Sequence, residues 1–315
     1  MKKLILILFC IIFQNSANAQ LNIGDPGAIK TSSFKKKDLE DFKNSTTCFV
    51  IRERDKEHLA DIEKIIAEVW KFNKYEIIDF EKYVTYSSKP GKIFFGLRSY
   101  NRSSEYVKSA DLFGKYTQST DLFIELWANG TEAKPNNIDE HVLATYELYC
   151  PKGIVDEVKK IQTLNAFEFI CKSNVDVPFW NWGLLKNDLQ VINACLVNNK
   201  PLWKFENNVK KDEIGRLSSN KLYVLDKNIM LDSRNQEDVF EKYPYKYEKI
   251  SVDQLGAKIL ESPTPFYYLV IDFQSSDKVF SVHNSKTGEI IYSKYKGMSY
   301  FVKGKDFEAL ADEIK

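Results

Sequence analysis

The apolar stretches of this chain come in the same order twice, and that order restricts the fold more than any single motif does. In the first half, "TTCFVI" (46–51) is short, apolar and β-branched, which reads as a buried strand. Leu59, Ile62, Ile66 and Val69 then recur at helical spacing over 56–72, with Asp55 as N-cap. "YEIIDF" (75–80) is a second strand, and Asp79 caps a short helix carrying Phe80, Tyr83 and Val84. After Pro90-Gly91 come "KIFFGL" (92–97), "DLFIELWA" (121–128) and "HVLATYELYC" (141–150), then a helix with Ile154, Val158, Ile161 and Leu164 on one face. The second half repeats the series. "KLYVLD" (221–226), a short helix near 237–243 and "YEKIS" (247–251) lead into a helix with a Ser251/Gln254 capping box. "FYYLVIDF" (266–273), a hairpin turning at Asn-Ser-Lys-Thr-Gly and a last helix with Phe307, Leu310 and Ile314 complete it. Lys-Tyr-Glu opens the second strand in both halves, at 74–76 and 246–248. The expected fold is therefore α/β (or α+β): two similar mixed-sheet modules, each β-α-β-α-β-β-β-α, joined by a helical insert.

The expected divisions follow from these patterns. Residues 1–19 read as a signal peptide, 20–45 as an extended N-terminal segment and 46–173 as the first module. Residues 174–219 form a helical connector with a Leu185, Leu189, Ile192, Leu196 stripe, and 220–315 the second module. The leader reading rests on Lys2 and Lys3, the ten-residue apolar run Leu4–Phe13 and an Ala-x-Ala site ending at Ala19. Such a run is too short to span a membrane, which takes about 20 residues. The expectation is export, to a periplasm or outside the cell. Cleavage would leave Gln20–Lys315 with 43 basic and 44 acidic residues, a net charge of −1. That balance gives no electrostatic reason to expect nucleic acid as a partner. With 43% hydrophobic and 14% aromatic residues, the chain has material for proper cores.

Candidate site residues lie in three places. Arg52 and Arg54, in "RERDKEH", follow the first strand at the carboxyl end where open α/β sheets hold ligands, and with a helix N-terminus they could bind an anion. Asp55 and Glu57 would already serve that helix end, so a solvated cap is the preferred reading. Trp180 and Trp182, in "PFWNWG", could stack on a sugar or a partner, or seal the join between the halves, which is preferred. Cys150 and Cys195 are the pair that helix geometry favours for a disulfide, although free buried thiols are the preferred state of a chain this long. His58, His141 and His283 are far apart and read as surface residues, so neither a metal site nor a cofactor is expected. Scattered acids, Asp55, Glu125 and Asp272, leave open a carboxylate-based hydrolase, with Asp272 at the end of the central strand. A small-ligand binder with a cleft between the modules is a further alternative.

The "YYLVIDF" strand followed by a hairpin with Thr287-Gly288-Glu289 and "IIYS" resembles the periplasmic α/β module of curli-secretion channel proteins and of the TolB N-terminal domain. The resemblance covers 221–315, and less clearly 46–171. It transfers no binding residues. It implies an envelope module that binds other macromolecules and does no chemistry. The sequence thus leads to a secreted or periplasmic non-catalytic binding protein, with an unknown envelope or extracellular macromolecule as partner and no membrane span.

Overall fold

The computed structural model of the chain describes residues 22–23, 36–106, 115–128, 141–148, 166–177, 180–203, 206–225, 239–274, 277–299 and 301–315. The chain divides into two compact units, one made of Leu21–Trp203 with Gly256–Glu261 and the other containing Lys204–Leu255 and Ser262–Lys315. Each is built on one six-stranded mixed sheet. Among the described residues, no helix is long and apolar enough to cross a membrane. The leader and the helix expected at 154–164 lie outside the described residues.

The first unit runs β1 (Asn22–Ile23), α1 (Lys36–Asn44), β2 (Thr46–Val50), a 3-10 turn (Glu53–His58), α2 (Leu59–Val69), β3 (Lys74–Ile78), α3 (Phe80–Tyr86), β4 (Lys92–Tyr106), β5 (Lys115–Ala128), β6 (His141–Leu148), α4 (Ala166–Lys172) and α5 (Trp182–Asn198). The strand order is β1-β6-β5-β4-β2-β3, with β2 parallel to both β3 and β4. Alternation along the strands gives this sheet two apolar faces. Phe49, Phe95, Leu97, Ile124 and Leu126 lie in one core with Ile62, Ile66 and Val69 of α2 and Leu185, Leu189, Ile192 and Leu196 of α5. Cys48, Val50, Phe94 and Trp127 lie in the other, against Phe80 and Tyr83 of α3 and Phe167 and Cys171 of α4. Asp79 caps α3 as expected, accepting from the Lys82 backbone N–H at 2.9 Å. Asn199, at φ 49°, ends α5 in the left-handed conformation, with the Lys200 N–H on the Cys195 carbonyl.

Two expected boundaries move. The segment 20–45 is not merely an extended lead-in, because α1 buries Leu39 and packs Phe42 on the first core, a short i, i+3 stripe with few apolar neighbours. The connector 174–219 is not a separate body either. Its α5 stripe completes the first core, while 208–218 supply elements of the second unit.

The second unit contains β7 (Asn208–Val209), α6 (Lys211–Ile214), β8 (Leu222–Leu225), β9 (Tyr247–Ile250), α7 (starting at Val252, in the range Val252–Glu261), β10 (Tyr267–Gln274), β11 (Asp277–Asn284), β12 (Ile290–Lys296) and α8 (Gly304–Ile314). Residues 239–242 of the helix expected near 237–243 are turns instead. The Ser251/Gln254 capping box forms in both directions, at 3.1 and 3.2 Å, a feature worth about 1 kcal/mol. Leu222, Val224, Tyr267, Leu269, Phe280 and Val282 form a core with Phe307, Leu310 and Ile314 of α8.

The second strand order is β7-β12-β11-β10-β8-β9, which is the first order again. The registers agree as well. Thr47 sits opposite Tyr75 and Ile93, and Leu222 opposite Tyr247 and Tyr267, so Tyr75 and Tyr247 hold equivalent places. Continuing across each sheet, a β-bulge falls between Leu126 and Trp127 in one and between Val282 and His283 in the other, again equivalent. Even the two-residue edge strands agree: Ile23 pairs with Ala144, and Val209 with Tyr292. The hairpins differ. β10–β11 ends at Gln274 opposite Asp277, whereas β4–β5 continues past the equivalent pair, Tyr100 and Asp121, to Tyr106 opposite Lys115.

Candidate functional site: a buried charged cluster at the carboxyl end of the first sheet

β2 and β4 run parallel, and their register brings Arg52, just past the carboxyl end of β2, level with Arg98 in the middle of β4. Charges at such a place face two demands: desolvation must be offset, and every donor must find an acceptor. Arg52 is 1% exposed. Its Nε donates to the Ile170 carbonyl at 3.0 Å, and one terminal nitrogen donates to Ser173 O at 3.3 Å and to Val175 O. These carbonyls close and follow α4, whose last C=O groups have no partner within the helix and carry the negative end of its dipole. The guanidinium is thus a C-terminal cap for α4, supplied by a residue more than a hundred positions earlier. Burial pushes Arg52 below its ordinary pKa, and the nearby Asp55 carboxylate opposes that shift.

Asp55 does not cap a helix. The stretch Glu53–His58 is a 3-10 turn, α2 starts only at Leu59, and no side chain caps either. The Asp55 side chain turns inward and accepts the indole N–H of Trp180 at 2.9 Å. Burial raises its pKa, while the Trp180 bond and Arg52 pull it back. Arg54 donates to the Asn174 carbonyl at 3.2 Å and lies 3.5 Å from Asp176, an exposed pairing of little energetic weight. The two candidate motifs, "RERDKEH" and "PFWNWG", are therefore one place: the first pins the segment 170–180 that the second ends. The reading of Arg52 and Asp55 as a solvated cap gives way to a buried clamp. Trp180 and Trp182 meet edge to face, with centroids 5.8 Å apart, and both pack on the first core. Pro178 and Phe179 lie outside the described residues.

Arg98 forms the second half of the cluster. It pairs with Glu125 at 3.2 Å, both largely buried, and its guanidinium lies 4.4 Å from the Trp127 ring centroid. Sequence reasoning missed this pair, although Phe94, Gly96 and Arg98 alternate on one face of β4 as Glu125 and Trp127 do on β5. Two opposite charges on otherwise apolar faces were the available signal. Cys171 lies within the field of Arg52, Asp55 and Arg98, and burial above all pushes its thiol up to about 12. It is protonated at neutral pH and is no nucleophile there. Two arginines and two carboxylates leave the cluster neutral.

The remaining candidates fall elsewhere. Asp272 is partly buried on β10 of the second unit, while Asp55 and Glu125 belong to the first. Cys48, Cys171 and Cys195 are free thiols; with Cys195 free and Cys150 outside the described residues, the Cys150–Cys195 disulfide is not seen. His58 is exposed beside Glu57, and the His141 side chain lies outside the described residues. His283 is not on a solvated face. It stacks on Tyr268 with ring centroids 5.2 Å apart, at the place where the first unit has Trp127 against Phe94. In the same register, Asp272 and Ser281 replace Arg98 and Glu125, so the charged pair is not repeated. Among the described residues, no three His, Cys, Asp or Glu side chains lie close enough to hold a metal ion. No family model, curated protein or solved structure matches the chain.

Proposed function

We propose that this protein is exported and acts by binding a macromolecular partner, without chemistry of its own. The observation that carries the reading is the fate of the charges where an α/β sheet usually keeps its catalytic groups. Arg52 is spent on three backbone carbonyls, Asp55 on an indole N–H and Arg98 on Glu125. Arg52 and Asp55, committed in this way, hold the segment 170–180 on the sheet and have little left to offer a substrate, while Arg98 and Glu125 tie β4 to β5. The leader pattern at 1–19 and the resemblance to envelope binding modules agree with it. The test uses the purified mature chain with chromogenic esters, glycosides and phosphate esters. No turnover above buffer is expected, and turnover that disappears in Asp55→Asn or Glu125→Gln would overturn the reading. Intact mass of the exported protein should correspond to a start at Gln20, and a product retaining Met1 would remove the export half.

A further inference from the structure

At the opposite, amino end of the first sheet, three lysines gather around one ring, two of them paired with one carboxylate, and a fourth lysine stands in the same cross-strand row. Lys82, Lys89 and Lys92 place their ammonium groups 5.2, 4.8 and 4.6 Å from the centroid of Tyr86. Glu76 pairs with Lys82 at 3.2 Å and with Lys92 at 2.7 Å. Lys74 lies one pleat before Glu76 on β3, in the row that runs through Thr46 to Lys92. Among the described residues, neither Lys74 nor Lys89 has an ion-pair partner, and both are exposed. The patch therefore carries a surplus of three positive charges in a protein that is close to neutral as a whole. Glu76 and the Tyr86 ring hold Lys82 and Lys92 in place, so part of the ordering of these long side chains is complete before any ligand arrives. The patch borders an open edge. β3 ends the strand order, and its outer side pairs with no strand among the described residues.

We propose that this edge docks an acidic polypeptide segment in extended form. The segment adds beside β3 through backbone hydrogen bonds, and where it passes the amino end of that strand its carboxylates meet Lys74, Lys82, Lys89 and Lys92. Lysines on an edge also repel indiscriminate strand pairing, so the same charges that turn other strands away select an acidic one. The inference rests on the binding reading above and supplies its partner class.

The experiment titrates a fluorescent octa-glutamate peptide with the mature full-length chain at low and at physiological salt. Saturable binding that weakens with salt is expected. Lys74→Gln with Lys89→Gln should weaken it about tenfold while the melting temperature holds, because neither lysine has an ion pair to lose. Lys294→Gln with Lys305→Gln, exposed lysines of the second unit, should leave it unchanged. An octa-glutamate methylated at alternate backbone nitrogens should bind about tenfold more weakly, since it cannot complete the ladder. Absence of binding, or equal loss in both double variants, overturns the site. Equal binding of the methylated peptide overturns strand addition. A heparin fragment that binds more tightly through Lys74 and Lys89 overturns the polypeptide in favour of an acidic polysaccharide. None of these results bears on the turnover assays, so this site and the non-catalytic reading can fail separately.

Discussion

His283 shows how a single residue registers its surroundings. Its Nδ1 lies 3.2 Å from the Gly288 carbonyl, which can only accept, so Nδ1 carries the proton, and Nε2 lies 3.0 Å from the Ser281 hydroxyl, whose one proton the Val270 carbonyl also takes at 3.3 Å. Burial lowers its pKa from 6.5 to about 4, with the Gly288 bond opposing. The folded state keeps the ring neutral, while the unfolded chain takes up a proton below about 6.5. Stability from this residue is therefore present above that pH and is lost as pH falls from 6.5 toward 4. Urea unfolding of the wild type against His283→Gln should show the wild-type advantage shrinking by about 2 kcal/mol between pH 7.5 and pH 5. An advantage that is the same at both pH values would mean the ring is already solvated. The sequence could not report this. In "KVFSVH" the histidine alternates with Phe280 and Val282, and only the second apolar layer of an α/β sheet turns that other face into an interior. The cluster of the first unit was half legible for a similar reason. "RERDKEH" and "PFWNWG" each stood out by composition, but 125 residues separate Asp55 from Trp180, and no local pattern encodes that bond.

At the scale of elements, what hydrophobic pattern encodes was legible and what backbone pairing alone encodes was not. The caps at Asp79 and Ser251 and the stripe of α5 lie where side-chain chemistry puts them. The arm of the β4–β5 hairpin does not announce itself, because "SYNRSSEY" and "KYTQSTD" are polar and β-pairing needs only N–H and C=O groups. Beyond Tyr100 and Asp121 these strands pair only with each other among the described residues. A lone two-stranded ribbon is marginal in water, so the arm contributes little to the fold beneath it. Replacing 101–120 by Ser-Ser, the residues that connect β10 to β11, should move the melting temperature by no more than about 3 °C, read by circular dichroism. A drop of about 10 °C or more would show that the arm packs on something and stabilises the unit.

At the scale of the whole molecule, the repeat is a statement about register and can be tested as one. Trp127 opposite Val142 corresponds to His283 opposite Ile290, so Ala128 corresponds to Asn284 and His141 to Glu289. The second unit crosses that gap with Ser-Lys-Thr-Gly, the first with the twelve residues 129–140. The short turn works for identifiable reasons. The Asn284 side chain accepts the Lys286 N–H at 2.9 Å, the Gly288 N–H bonds the Asn284 carbonyl at 2.8 Å, and Gly288 sits at φ 70°, open to glycine at little cost. If the two sheets share their register through the bulge, the turn should transplant. The variant Ala128→Asn with 129–140 replaced by Ser-Lys-Thr-Gly should fold with the β5–β6 ladder intact. Shortening a connection threefold lowers the entropic cost of closing it by about 1 kcal/mol, so stability in urea should stay level or rise by about that amount. Amide exchange protection at Leu126 and Ala144, paired before the bulge, and at Trp127 and Val142, paired beyond it, reads the ladder directly. Loss of that protection in an otherwise folded variant would mean that the registers agree in the sheets but diverge at the strand ends, and that the first unit needs its longer connection to bring β6 back into line.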